Sequence, residues 1–525
     1  MNSKTSYSTL FNRIFLFLSF TVVINHHVTD SAKILAIFPT PCYSHQSVFK
    51  VYIEALADRG HEVVVVKPTT KVRYNDDKNI VEIDASLSDN YFAKLVHDSM
   101  SFRKRGLVAD SDTVTAYNYM GLVRMLRDQF DLPEVKKLIE NRHLFRFDVL
   151  ITEAFLDYTL IFSHLFGDIP VIQVSSGYGV PENFETMGAV SRHPVYYPNL
   201  WRDRFRDMNI WETIREIYME LRLQNEFSVL LAEQNNLLKM QFGANVPALE
   251  KLRDNVEMLF VNVHPFFDNN RPVPPNVQYL GGLHLHDKRV KPLSEHVQRF
   301  LDNSTNVVYV SFGSSIDTAQ MDNEFLDMLL ETFRSLPQCN FAWKFDSIID
   351  SSRVVPDNVF IQSWFDQYSL LHHKNVKAFV TQGGVQSTDE AIAALVPMIG
   401  MPMMGDQSFN TNKYIDLGIG LVVDTSTVTS QQLIKAIQTI TVIDYDKYKG
   451  NLMELRKLIR HQPVSALHKA TWFTEHVITH KKKNYYKTKS SNATYDEYYM
   501  FYIIIPFASV FIMNHIHQLL RMSFS

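Results

Sequence analysis

The sequence predicts an α/β protein of two domains, each built on a parallel sheet. Three observations carry that reading. Strand, helix and strand follow one another at 33–66, and a strand, turn, helix and strand recur at 378–401; such alternation builds parallel sheets. The chain has 525 residues, too many for one ordinary core. Arg271-Pro-Val-Pro-Pro275, followed by Gly281-Gly282, makes a boundary stiffened by proline and freed by glycine.

Composition fits a folded globular protein, with 46% hydrophobic and 21% charged residues. A net charge of −4 argues against a broad nucleic-acid surface. Two cysteines, Cys42 and Cys339, cannot form a disulfide framework and are expected as free, buried thiols.

Residues 1–31 read as an export leader: Lys4 and Arg13 precede the apolar run Ile14–Ile24, which is too short to span a bilayer comfortably. Export would place the chain in the endoplasmic reticulum lumen or outside the cell. Asn303-Ser-Thr and Asn492-Ala-Thr then become glycosylation triplets.

Lys33–Phe38 is an apolar strand. After the turn 39–43, Ser44 caps a helix with the buried stripe Val48, Val51, Tyr52, Ala55 and Leu56, closed by Gly60. His61–Val66 is the next strand. His45 falls in the first turn of that helix, at the carboxyl end of the first strand, where open α/β sheets bind ligands. A neutral imidazole there can take a proton from a hydroxyl, and the helix dipole disfavours imidazolium. Residues 80–146 read as polar and helix-rich. Phe147–Thr152 is a strand with Glu153 at its end. Glu153 either supports the imidazolium of His45, as carboxylates do in triads, or caps the following helix. A helix is expected over 155–166, a strand over 170–174 and a long aromatic, Gly- and Pro-rich loop over Gly177–Trp201 that suits a flat apolar acceptor. A long helix spans 211–242, and 258–263 is read as the last strand of the first domain.

The second domain opens with the strand 306–311 and the turn Phe312-Gly-Ser-Ser315, where Ser314 offers a hydroxyl. A helix over 320–335 and a strand over 341–345 follow, with Lys344 pointing either to a ligand or to solvent. Strand 359–363 leads to Trp364, a flat face for a base, and Gln367, which can bond a base edge. Ala378–Thr381 is a strand, Gly383 and Gly384 a tight turn, and Val385, Thr388, Ala391, Ile392 and Leu395 one face of a helix. Gln386 and Glu390 lie four apart on another face, placed to act on one ligand. A bare helix start behind a glycine turn suits a phosphate. Pro397 ends the helix, 398–401 is a buried strand, and Asp406-Gln407 begins the next helix. No G-x-G-x-x-G occurs here and no P-loop lysine, which argues against a nicotinamide oxidoreductase. The pairs Asp110/Asp112 and Asp444/Asp446 have metal-site spacing but sit in polar, solvated stretches.

The whole stretch 379–410 resembles the donor-binding signature of the UDP-glycosyltransferases: T-H-G-G-x-N-S, then Glu, Pro and D-Q-x-x-N. Gln382 replaces the usual His and Gln386 the usual Asn. Trp364-Phe-Asp-Gln367 is similar to the family's W-x-P-Q, with Asp366 in place of Pro, and 41–66 and FDVLITEAF resemble its first units, with Glu153 where Asp is usual. The wording TQGGVQSTDEA is most similar to the ecdysteroid-acting branch carried by baculoviruses.

The resemblance implies two facing Rossmann-like domains (GT-B type): 32–268 for the acceptor, a linker at 269–285, 286–460 for the UDP-sugar, and a helix at 461–480 returning to the first domain. It implies inverting transfer of glucose from UDP-glucose to an ecdysteroid hydroxyl, inactivating the hormone. His45 is then the base and Glu153 its support. Ser314, Trp364, Gln367, Gln382, Gly384, Gln386, Ser387, Glu390, Asp406 and Gln407 hold the UDP-sugar. No metal and no cofactor beyond UDP-glucose as co-substrate are implied. The rival readings are transfer to other lipophilic acceptors and a non-catalytic binder of sugar nucleotides or steroids. The tail 481–525 carries lysines and then an apolar stretch, 498–513, interrupted by Pro506. That stretch is short for a membrane span, so a secreted soluble protein is expected, with bilayer contact as the less favoured alternative.

Overall fold

The computed structural model describes residues 31–523 apart from 89–90, 93, 96–104, 106, 108–114, 201, 203–207, 315, 317, 319–320, 351–352 and 482–484. The expected leader therefore lies outside the described residues but for Ser31, as do Asp110 and Asp112.

Two fully parallel sheets organise the chain. The first has seven strands in the order β3-β2-β1-β4-β5-β6-β7. These are β1 Lys33–Ile37, β2 Glu62–Lys67, β3 Ile80–Asp84, β4 Val149–Glu153, β5 Val171–Ser175, β6 Val256–Val261 and β7 Val277–Tyr279. The second has six in the order β10-β9-β8-β11-β12-β13. Its strands are β8 Val307–Ser311, β9 Asn340–Lys344, β10 Val359–Gln362, β11 Val376–Thr381, β12 Met398–Gly400 and β13 Gly420–Val422. The inner strands are runs of Val, Ile and Leu because helices cover both faces. One core lies on each face of each sheet: Leu35 and Leu150 point to one side of the first sheet, Ile34 and Ile151 to the other. Phe312 and Trp343 lie in one layer of the second domain, Tyr309 and Phe379 in the other.

The helices that matter for the site are α1 Tyr43–Asp58, α2 Pro181–Met187, α3 Ile210–Phe242, α4 Gln367–Leu371, α5 Val385–Ala394, α6 Gln407–Asp416, α7 Ala466–His480 and α8 Phe501–Ser523. Helix α7 packs back on α1 of the first domain. Tyr52 and Thr474 share a hydrogen bond of 2.5 Å, and Arg59 pairs with Glu475. Ala470 and Val477 sit in the core of the first sheet.

Several expectations are corrected. Ile80–Asp84, within the stretch read as helical, is edge strand β3; its exposed Val81 and Glu82 conceal the strand pattern. The expected linker contains β7, which pairs with β6, so 258–263 is not the last strand of its sheet. The expected helix 155–166 is a 3-10 turn, Asp157–Leu160, followed by a short α-helix, Ile161–Leu165. The loop from Gly177 encloses α2, started by Pro181 and closed by left-handed Gly188. Pro506 does not interrupt the tail: α8 runs through it for 23 residues. Cys339 is buried and Cys42 only half-buried; both are free.

Candidate active site

The amino-terminal half of the site is built at the carboxyl ends of β1 and β4. These strands pair in parallel, with Ile37 beside Thr152, so Glu153 emerges next to the turn that leads into α1. Gln46, 1% exposed, ties that turn down by donating to the carbonyls of Phe38 and Thr40, at 3.0 and 2.8 Å. The anchored turn holds His45, whose Nδ1 lies 2.5 Å from Oε1 of Glu153. Glu153 is 3% exposed, and its second oxygen has no partner. Glu153 is thus in contact with the imidazole, as one of its two readings requires. Nε2 of His45 makes no protein hydrogen bond among the described residues.

The carboxy-terminal half is a glycine turn between β11 and α5. Gly383 has φ +91°, and a Cβ there would stand 2.4 Å from Cγ2 of buried Thr411. Gly384 has an ordinary φ of −64° and caps α5 without a side-chain partner, so the first N–H groups of the helix stay available. Only the first glycine is thus required by its backbone angle. Gly313 in the β8 turn, at φ +78°, lies under the amide of Gln382, where a Cβ would approach Nε2 to 2.1 Å. Ser314 follows it, exposed and at the mouth of the same turn. Lys344 is buried and donates to the Gly313 carbonyl at 3.0 Å and to Asp346 at 2.8 Å. It therefore holds the turn rather than reaching solvent.

Gln367 opens α4 and donates through Nε2 to Ser387 at 2.9 Å and Glu390 at 2.8 Å. Glu390 also pairs with Lys288. Gln386 turns elsewhere, donating to the Ser176 carbonyl of the first domain at 2.8 Å. Gln386 and Glu390, four apart on α5, thus take different protein partners in this arrangement. Gln407 spends its oxygen on the N–H groups of Met403 and Met404, both at 3.0 Å, and shapes the turn before α6. Asn410 donates to the Gly383 carbonyl at 2.9 Å and to Asp406 at 3.1 Å, and accepts from the Tyr178 hydroxyl at 2.8 Å. Trp364, just before α4, is 41% exposed.

The halves face one another. Burial raises the Asp406 carboxyl above the usual range, offset in part by the Asn410 amide and by the charge of His45 across the cleft. The buried acid Asp389, on α5 behind Glu390, is pushed up to about 8 by burial and then by the Glu390 charge. Among the described residues no group of three or more His, Cys, Asp or Glu has metal-site geometry. Sequence reasoning missed Tyr178 of the first domain, His284 of the linker and Lys288 just after it, which contact Asn410, Gln386 and Glu390. They come from segments whose spacing gives no signal, because chain crossings alone bring them there.

A family model for UDP-glucoronosyl and UDP-glucosyl transferases matches residues 32–521. The chain belongs to that family. As a UDP-glycosyltransferase it is 56% identical, over 97% of its length and 96% of the relative's, to the ecdysteroid UDP-glucosyltransferase of Mamestra brassicae nuclear polyhedrosis virus. It is 52% identical to the protein of that name from Lymantria dispar multicapsid nuclear polyhedrosis virus, over 94% of this chain and 96% of that one. UDP-glucosyltransferase 2 of Dactylopius coccus is 28% identical over 94% and 92% of the two chains. The crystal structure of the glycotransferase of kitacinnamycin superposes with a TM-score of 0.56 at 18% identity, covering 84% of this chain and 98% of that one. That likeness concerns the fold, the GT-B arrangement of two facing parallel-sheet domains.

Proposed function

We propose that this UDP-glycosyltransferase transfers glucose from UDP-glucose to a hydroxyl of an ecdysteroid, inactivating the hormone, with inversion at the anomeric carbon. One observation supports the reading: the His45–Glu153 pair sits at the start of α1, whose first residue, Tyr43, meets Trp364 of the second domain. The high identity to proteins named ecdysteroid UDP-glucosyltransferase supports the donor and the acceptor.

In this reading Nε2 of His45 accepts the proton of the acceptor hydroxyl as its oxygen attacks the anomeric carbon. Glu153, already on Nδ1, stabilises the imidazolium that forms. UDP leaves from the opposite face. Charge that develops on its diphosphate meets the N–H groups at Gly384–Ser387 and the neutral donors Gln382 and Ser314. Trp364 stacks the uracil, Gln367 bonds its edge, and Glu390 accepts from the ribose hydroxyls. Gln386 must let go of Ser176 to join them. Asp406, with Gln407 shaping its turn, accepts from the sugar hydroxyls. The step as drawn uses no metal and no cofactor beyond the co-substrate.

Incubating the purified protein with UDP-glucose and an ecdysteroid tests this. Free UDP and a β-glucosylated steroid, read by mass spectrometry and NMR, are expected. An unmodified steroid, or faster glucosylation of simple phenols, contradicts the assignment.

We also infer export through the leader at 1–31. Asn303 is exposed and open to a glycan, whereas Asn492 donates its amide to Asp254 at 2.9 Å. Within α8, the span Phe501–Met522 is 22 residues long with a mean hydropathy of 1.5, and its apolar window is 0% buried. At ~1.5 Å per residue the helix matches the ~30 Å hydrocarbon core. Length and exposure together support contact of α8 with a bilayer. Flotation with liposomes, lost on removal of 501–525, is the expected result; protein left at the bottom of the gradient contradicts it.

A further inference from the structure

The donor site contains two residues from the other domain that the reaction above does not use. Tyr43 is the first residue of α1, two positions before His45. Its ring meets Trp364 edge-on, with centroids 5.1 Å apart and planes at 79°. Lys71, in the segment after β2, places its ammonium 4.7 Å from the centre of the same indole. Tyr43 itself stays 40% exposed, and the charges of Lys288, Glu390 and Asp366 reach its hydroxyl. Both partners of the indole are thus carried by the acceptor domain.

An aromatic edge and a cation on one indole fix its plane more tightly than either alone. Trp364 keeps 41% exposure, so a ring edge and an ammonium share it with open space. The contact also reaches the chemistry. Helix α1 starts at Tyr43 and carries His45 in its first turn, so a base bound on Trp364 touches the segment that holds the imidazole.

We propose that Tyr43 and Lys71 are positioning residues that complete the uridine pocket from the acceptor domain, so that a bound nucleotide is held between Trp364 and the segment that carries His45. The inference rests on the reading of Trp364 as the uracil platform. It assigns nucleotide affinity to residues outside the donor domain.

Calorimetric titration of UDP into the full-length protein tests it, with Trp364→Ala as the control for the underlying reading. Trp364→Ala should weaken UDP binding about tenfold. Tyr43→Ala should weaken it about fivefold and Lys71→Met about threefold. With UDP-glucose both variants should raise KM for the donor by like factors and leave KM for the acceptor unchanged. Lys71 is exposed, so its substitution leaves folding intact. If Trp364→Ala loses affinity while Tyr43→Ala and Lys71→Met bind as the wild type or tighter, the proposal fails and the donor site stands. If Trp364→Ala itself binds normally, the platform and this proposal fall together.

Discussion

His45 owes its place to two buried neighbours. Gln46 pins the turn beneath it and Glu153 takes its Nδ1, so Nε2 is turned outward without help from the substrate. Glu153→Gln keeps the shape and removes the charge that would stabilise imidazolium. It should lower kcat by roughly 10²-fold or more while KM for UDP-glucose stays put; a change confined to KM would move Glu153 from proton transfer to donor binding. Gly383 is the second residue whose chemistry is set by space. Its φ of +91° and the nearby Thr411 methyl exclude a Cβ. Gly383→Ala should cost ~1–3 kcal/mol in denaturant unfolding. Gly384→Ala, at an ordinary φ and with its Cβ 3.2 Å from a flexible amide nitrogen, should cost less.

At the scale of elements, α5 does two jobs. Its start faces the cleft, and its back buries Asp389 beside Glu390 and His264, whose Nε2 lies 3.7 Å from the Asp389 carboxylate. Burial lowers His264 to about 4, so that ring is neutral near pH 7. The folded carboxyl of Asp389 holds its proton to about 8, far above its ordinary value. The unfolded chain therefore releases that proton first, and the contribution of Asp389 to stability, full in acid, is lost as pH rises through about 8. Asp389→Asn should flatten the fall in Tm between about pH 4 and 8; a wild-type pH profile in the variant would contradict the burial account. The donor stretch was legible in the sequence because strand, turn, helix and strand follow without interruption. The edges were not. β3 hides among polar residues, since an edge strand is wetted on its outer side. β7 hides in a proline-rich stretch that also reads as a linker. Of the site, His45, Glu153 and the residues of 364–410 were legible from local pattern and resemblance. Tyr43 and Lys71 were not, because nothing in local spacing reports contacts between domains.

At the scale of the molecule, two parallel sheets present their carboxyl edges to each other. Gln386 to Ser176 and Tyr178 to Asn410 bridge the cleft, and α7 ties the end of the second domain to the first. The proposed function divides the labour between them: one domain grips the nucleotide sugar, the other readies the alcohol. UDP binding and glucosyl transfer measured side by side on His45→Ala test that division most directly. The account predicts that UDP binds with wild-type affinity while transfer to the ecdysteroid falls by roughly 10³-fold or more. Wild-type turnover in that variant, or loss of UDP binding with it, would contradict the account.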